Sequence, residues 1–101
     1  MRVGFARLAR DEYNDAVIYY ELQQTGLGKT FKAEIRLAIQ RMLNFPLAWP
    51  VERGEVRKCV VHRFPYKLLY AVEPNRLLIV AVAHQHRNPD YWAERIPTAS
   101  S

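Results

Sequence analysis

Residues 66–84, YKLLYAVEPNRLLIVAVAH, decide the fold that this sequence predicts. Two runs rich in Tyr, Leu and Val, 66–73 and 76–84, flank the pair Pro74-Asn75, which suits the central positions of a type I turn. The runs therefore predict two antiparallel strands. The second run is apolar on both faces, which is typical of a central strand covered on both sides.

The register of these two strands decides which polar side chains share a face of the sheet. If Glu73 pairs with Arg76, Lys67 lies opposite Val82, and His84 is its diagonal neighbour on the same face. The opposite face then carries larger apolar side chains, namely Tyr66, Leu68, Tyr70, Leu77, Ile79 and Ala81. We expect that apolar face to meet the helices, which leaves the polar face open.

The rest of the chain supplies the other elements of an α+β domain. In chain order the sequence predicts an edge strand at 2–5, helices at about 8–24 and 27–44, a loop at 47–54, a strand at 55–63, the strands 66–73 and 76–84, and a short helix opened by Asn88-Pro89-Asp90. The predicted order is β-α-α-β-β-β-α. An N-terminal strand and a helical hairpin pack on a small antiparallel sheet, in a single domain of residues 1–101.

Composition excludes several classes of protein. The 101 residues are 50% hydrophobic and 25% charged, which is typical of a globular domain. Cys59 is the one cysteine, so no internal disulfide can form, as suits a reducing cytoplasm. The longest apolar run, 77–83, is far too short to span a membrane. We expect a soluble cytoplasmic protein without a membrane partner.

Positive charge is concentrated in one segment. The net charge is +5, and the stretch from Arg57 to Lys67 also contains Lys58 and Arg63 but no acidic residue. Such a cluster favours a polyanionic partner, so these four residues and Arg87 are candidate nucleic-acid-binding residues. The alternative is a strand edge that exposed charges protect from aggregation.

The same region contains the residue types that cleave RNA without a metal. A base must take the proton of the 2′-hydroxyl, cations must stabilise the phosphorane, and an acid must protonate the 5′-oxygen. Lys67 or His84 can act as the base, Arg57 and Arg87 can hold the phosphate, and Tyr91 can stack on a base or serve as the acid. Each also has an ordinary structural alternative, such as an ion pair, a strand end or a packing residue.

Metal and cofactor sites are not expected. His84 and His86 share one side of a strand, but no cysteine or carboxylate lies near them in sequence, and a metal usually needs three or four ligands. Glycine-rich phosphate loops, paired carboxylates and serine-based triads are also missing from the sequence. We therefore predict neither a metal nor a cofactor.

The ordered combination of several short motifs resembles the RelE/ParE superfamily of type II toxin–antitoxin toxins. The motifs are Tyr19-Tyr20, Leu27-Gly28 with Phe31, Val56-Arg57, Phe64-Pro65-Tyr66 with Tyr70, Ala81-Val82-Ala83-His84, and Arg87-Asn88-Pro89-Asp90-Tyr91-Trp92 with Arg95. The resemblance covers nearly the whole chain. It implies the α+β fold above and one of two activities, since RelE-like members cut mRNA in the ribosomal A site and ParE-like members poison DNA gyrase.

The resemblance also implies residue roles. Lys67 lies where RelE-like ribonucleases place an arginine that contacts the scissile phosphate, and Tyr91 lies near their catalytic tyrosine. Gln85 lies near the position of another catalytic arginine, which is a departure that weakens the ribonuclease interpretation. Arg87, two residues further on, is the candidate to compensate.

Three functions remain open at this point. The chain can be a metal-independent endoribonuclease acting on mRNA at the ribosome, an inhibitor of DNA gyrase, or a non-toxic binding module of the same fold. The resemblance implies a cognate antitoxin as the normal partner, in a toxin–antitoxin hetero-oligomer. The sequence does not indicate which residues bind the antitoxin.

Overall fold

The computed structural model describes residues 1–95 of the chain. Its elements are β1 (Arg2–Phe5), α1 (Arg7–Gln23), α2 (Leu27–Asn44), β2 (Val51–Arg53), β3 (Val56–Val60), β4 (Tyr66–Val72), β5 (Arg76–His84) and a 3₁₀ turn (Ala93–Arg95). The predicted α+β class is confirmed. Residues 96–101 lie outside the described part, so the prediction of one domain over the full chain stays a prediction.

The sheet has five strands in the order β1-β5-β4-β3-β2. The predicted antiparallel pairings of β3 with β4 and of β4 with β5 are present. Strand β1 joins β5 in parallel, so the sheet is mixed and not wholly antiparallel. Parallel neighbours need a long connection between them, which the whole α1-to-β4 segment provides. Strand β2 occupies part of the segment 47–54, which was predicted as a loop.

A tight connection joins the two helices. Gly26 adopts a left-handed conformation with φ of 90°, which glycine tolerates best. At Gly28, an added Cβ would lie 2.8 Å from the carbonyl oxygen of Val17, so the helices approach each other closely there. The Glu21 carboxylate accepts hydrogen bonds from the backbone N–H groups of Gly26 and Gly28. These contacts satisfy amides at the start of α2 that have no partner within the helix.

The core consists of two clusters, one on each face of the sheet. The larger lies between the sheet and the helices and contains the fully buried Phe31, Leu68 and Tyr70. The smaller lies on the opposite face, where Trp92 covers Leu69 and Val56. Neither helix among residues 1–95 is long and apolar enough to cross a membrane.

A β-bulge in β5 overturns the predicted sharing of faces. The turn register is as predicted, because Glu73 N–H donates to the Arg76 carbonyl oxygen at 2.8 Å. The register then shifts, and Lys67 pairs with Ala83 rather than Val82. Because β5 has one extra residue between positions 79 and 81, every later side chain of β5 lies on the face opposite to the predicted one. The prediction that Lys67 and His84 share a face is therefore wrong, and Ala81 likewise lies away from the helices, in the Trp92 cluster.

The predicted short C-terminal helix is present only as a 3₁₀ turn at Ala93–Arg95 within the described residues, and it does not begin at Asn88-Pro89-Asp90. The Asn88 Oδ1 accepts a hydrogen bond from Asp90 N–H at 3.0 Å, so the expected capping contact forms. The chain nevertheless continues as turns and one short 3₁₀ turn. Trp92 is fully buried under the sheet and Arg95 is bonded to α1, and these long-range contacts outweigh local helix preference.

Candidate functional site

The structure does not assemble the five predicted catalytic residues at one place. Arg57 pairs with Tyr70, on the helix-facing side of the sheet. Lys67 is on the opposite side, because its neighbour Leu68 belongs to the helix-facing cluster. Arg57 also lies far from His84. Tyr70, the partner of Arg57, is four strand positions, or about 13 Å, from Tyr66, the partner of His84.

The two cations predicted to contact the phosphate from the sheet are already bound within the protein. Arg57 Nη1 donates to the Trp49 carbonyl oxygen at 2.7 Å. Lys67 Nζ donates to Glu52 Oε1 at 2.6 Å, and the Lys67 side chain is 17% exposed. A substrate could reach the Lys67 ammonium group only by displacing the Glu52 carboxylate.

The other cations of the acid-free segment lie near acids from other elements. Lys58 Nζ lies 3.9 Å from Glu52, which also holds Lys67, and Arg63 Nη1 lies 3.7 Å from Glu34 of α2. These acidic partners lie outside the segment 57–67, so the composition of the segment does not reveal them. The basic segment is thus less available to a polyanion than its composition indicates.

Three predicted site residues do come together. His84 and Arg87 line a groove of about 370 Å³ between α1 and β5, whose other lining residues are Glu12, Asp15, Ala16, Tyr19, Tyr66 and Val82. Tyr91 lies beside it, with the Arg87 guanidinium 3.8 Å from the centroid of its ring. The groove is thus the place where the structure brings three of the predicted site residues together.

Glu12 is the centre of this cluster. Its carboxylate accepts hydrogen bonds from Val82 N–H at 3.0 Å, from the Tyr91 hydroxyl at 2.6 Å and from Arg95 Nη1 at 2.8 Å. Arg87 Nη1 lies 3.8 Å away. One side chain of α1 therefore fastens β5 and the C-terminal turns together.

Glu12 is not among the site residues predicted from the sequence, although the sequence contains a signal for it. Ala9 and Ala16 are buried on α1, and Glu12 lies between them at helical spacing on the same face. An acid on the buried side of a helix needs a partner, because an unpaired buried charge is costly. That requirement pointed to a cation or hydroxyl elsewhere in the chain.

Tyr91 is held as a hydrogen-bond donor. Burial and the hydrogen bond to the Glu12 carboxylate raise the pKa of the Tyr91 hydroxyl well above its ordinary value. Such a hydroxyl is a weaker acid than an exposed tyrosine. The position of Tyr91 is therefore better suited to packing and to binding Arg87 than to protonating a leaving oxygen.

His84 is partly enclosed. Its ring meets the Tyr66 ring edge-on at 5.2 Å between centroids, and its Nδ1 accepts a hydrogen bond from His86 N–H at 3.1 Å. No group of three His, Cys, Asp or Glu side chains within residues 1–95 is arranged to hold a metal ion. Gln85, which follows His84, is exposed.

Comparisons with known proteins agree with this architecture. A family model described as the ParE toxin of the type II toxin–antitoxin system parDE matches residues 3–89. A solved structure described as a chromosomal ParDE TA system from P. aeruginosa is similar with a TM-score of 0.62 and 13% identity, covering 83% of this chain and 95% of that chain. At that identity the likeness shows the fold alone. A search of curated proteins gives no match.

Proposed function

The chain belongs to the ParE family of toxins of type II toxin–antitoxin systems, and on that basis we propose that it inhibits DNA gyrase by binding and not by cleaving RNA. The observation that carries the proposal is the division of the candidate RNA-cleaving residues between the two faces of the sheet. A protein that acts by binding needs a surface but no reacting set of side chains.

The geometry supports this choice for a chemical reason. Cleavage of RNA without a metal needs a base, an acid and phosphate ligands around one phosphate. Lys67 and His84, the two candidate bases, face opposite ways, so only one of them can act at a given phosphate. Beside His84, the hydroxyl of Tyr91, the candidate acid, already donates to the Glu12 carboxylate. Gln85 also occupies the place near which the ribonucleases carry an arginine.

Ribonuclease activity remains the second candidate because of the groove beside α1. His84 and Arg87 line it together, and Tyr91 lies next to Arg87. These are a possible base, a phosphate ligand and a base-stacking ring. In that alternative Lys67 takes no part in the reaction. The mechanism implied by the resemblance to RelE-like enzymes differs, because there Lys67 contacts the scissile phosphate.

A cognate antitoxin is the partner that we propose for the resting state. The P. aeruginosa structure is described as a ParDE TA system, and ParE toxins belong to such pairs. Among the apolar residues of the two helices, Phe31 and Ile35 are buried in the core, whereas Leu22 is 81% exposed on α1. Leu22 is therefore available to an antitoxin segment, while the two core residues are not.

Purified gyrase provides the direct test of the proposal. We expect the chain to inhibit supercoiling of relaxed plasmid. A Lys67→Met variant, compared at equal concentration of folded protein, should inhibit it within about twofold of the wild type, since inhibition by binding gives Lys67 no chemical role and few residues carry most of a binding energy. Methionine keeps the aliphatic stem and removes the charge. If Lys67 were a catalytic base, RNA cleavage would instead fall by about 10²-fold or more.

Two outcomes contradict the proposal. One is unimpaired supercoiling at saturating chain together with cleavage of ribosome-bound mRNA. The other is loss of growth inhibition in the Lys67→Met variant while its circular dichroism spectrum and thermal transition match those of the wild type.

A further inference from the structure

The exposed cations of residues 1–95 that have no acidic partner there lie on β1 and the two helices. Within residues 1–95, all seven ion pairs involve cations of the segment 53–95. The exposed Lys and Arg side chains that have no carboxylate of this described part within ion-pair distance are Arg2, Arg7, Arg10, Lys29, Lys32 and Arg36. All of them belong to β1, α1 and α2.

Three of these cations form a stripe along α2. Lys29, Lys32 and Arg36 are exposed and separated by three and four residues, so they lie on one face of the helix. The stripe is about 10 Å long, since an α-helix rises about 1.5 Å per residue. The single acid of α2, Glu34, lies on the other side of the helix, where it is buried beside Arg63.

Two adjoining grooves share this stripe. Lys32 and Arg36 line both of them. One groove adds Arg10 from α1, and the other adds Lys29 together with Glu21. The Glu21 carboxylate is bonded to two backbone N–H groups, so it is committed to the helical hairpin. We call Arg10, Lys29, Lys32 and Arg36 the α2 cationic surface.

We propose that the α2 cationic surface contacts the phosphates of duplex DNA while the toxin is bound to gyrase, an inference that rests on the proposed function. Each strand of B-DNA carries a phosphate about every 3.4 Å along the axis, so the stripe spans about three phosphates. Lys and Arg side chains that are free of internal partners can neutralise phosphates and release their counterions.

The composition of this surface favours DNA over an acidic protein. None of the large apolar side chains that are exposed in residues 1–95 lines either groove. The apolar side chains that do line the grooves, such as Val17, Phe5 and Ile35, are buried or partly buried. The buried centre of a protein–protein interface is rich in aromatic and apolar residues, whereas protein–DNA interfaces are polar and strongly positive. An apolar contact is available elsewhere, at the exposed Leu22.

Internal partners distinguish the nucleic-acid-binding residues predicted from the sequence from the α2 cationic surface. Of the five predicted nucleic-acid-binding residues, Lys58, Arg63, Lys67 and Arg87 have carboxylates within 4 Å, and Arg57 binds a backbone carbonyl. A phosphate would have to displace those partners. On the α2 cationic surface a phosphate would displace no carboxylate of residues 1–95, and the Arg10 guanidinium there lies 5.1 Å from the centroid of the Phe5 ring.

Two triple variants with equal loss of charge test the proposal. The test variant is Lys29→Gln/Lys32→Gln/Arg36→Gln, and glutamine keeps good helix propensity. The matched control is Arg2→Gln/Arg53→Gln/Arg76→Gln, which removes three exposed cations from other places. Fluorescence anisotropy measures binding of a short labelled duplex to the full chain at several salt concentrations, and the supercoiling assay is run on the same proteins.

We expect the test variant to bind the duplex at least about tenfold more weakly, and the slope of log K against log salt to shrink by about three, one for each lost phosphate contact. The control should stay within about twofold of the wild type. Gyrase inhibition should weaken in the test variant and persist in the control.

Other outcomes overturn the inference. Equal losses in both triple variants would show that only net charge matters. Unchanged duplex affinity with lost antitoxin binding would assign the surface to an acidic protein. If the wild type fails to inhibit gyrase but binds the duplex through these residues, the proposed function fails while the DNA contact stands.

Discussion

A Glu12→Ala variant should unfold with a free energy lower by about 3 kcal/mol than that of the wild type, because removing one member of a buried ion pair leaves the other charge unpaired. Glu12 is 15% exposed, and Arg95, which it binds, is 17% exposed. The substitution also leaves Val82 N–H and the Tyr91 hydroxyl without their acceptor. Urea unfolding followed by circular dichroism measures the change, and the thermal midpoint should fall by about 15 °C.

Asp11→Ala is the matched control for this prediction. Asp11 is the exposed acidic neighbour of Glu12 on the same helix, so its removal should change the unfolding free energy by less than about 0.5 kcal/mol. Equal effects of the two substitutions would contradict the central role of Glu12 in fastening the C-terminal turns.

The second large effect is expected at the centre of the helix-facing core. Phe31 is fully buried, and its ring centroid lies 5.1 Å from that of Phe64, 5.2 Å from that of Tyr66 and 5.3 Å from that of Tyr20. Phe31→Ala removes a large apolar side chain and leaves a cavity that these rings cannot all fill. We expect the unfolding free energy to fall by about 4 kcal/mol, as measured by urea denaturation.

Phe45→Ala separates the effect of position from that of the residue type. Phe45 follows α2 and is 68% exposed, so the same chemical change there should cost less than about 0.5 kcal/mol. A cost at Phe31 no greater than that at Phe45 would mean that the two helices do not pack on the sheet through this aromatic cluster.

Much of the fold was predictable because its signals are local. The bounds of α2, Leu27–Asn44, agree with the prediction, since helical spacing marks its apolar face and Phe45-Pro46 ends it. Strand β5 agrees as well, because a wholly apolar run between a turn and a polar segment has few alternatives. The pairing of Glu73 with Arg76 followed from the turn at Pro74-Asn75.

The errors arose where tertiary contacts decide the outcome. Residues 79–82 are all apolar, so no change of polarity marks the bulge between the paired positions 79 and 81. Because of the one extra residue in this bulge, His84 lies on the face opposite Lys67. The parallel direction of β1 was equally invisible, because a short strand has the same pattern in either direction.

The candidate site was harder to predict than the fold because its partners are distant in sequence. Tyr91 and Glu12, which form a hydrogen bond, are 79 residues apart. Glu52 pairs with Lys67 from a strand that was predicted as a loop. The roles assigned to Arg57, Lys67, His84, Arg87 and Tyr91 therefore stay predictions, and so does a cytoplasmic location.

Brief expression of this chain alone in a bacterial host tests the claim that DNA gyrase is its target. Within minutes of induction, separate pulses of labelled precursors measure DNA synthesis and protein synthesis. Inhibition of gyrase predicts that DNA synthesis falls first while translation continues. An early fall in protein synthesis with continuing DNA synthesis would contradict the claim and favour cleavage of mRNA. Unchanged rates of both would contradict it too, and would indicate a non-toxic binding module of the same fold.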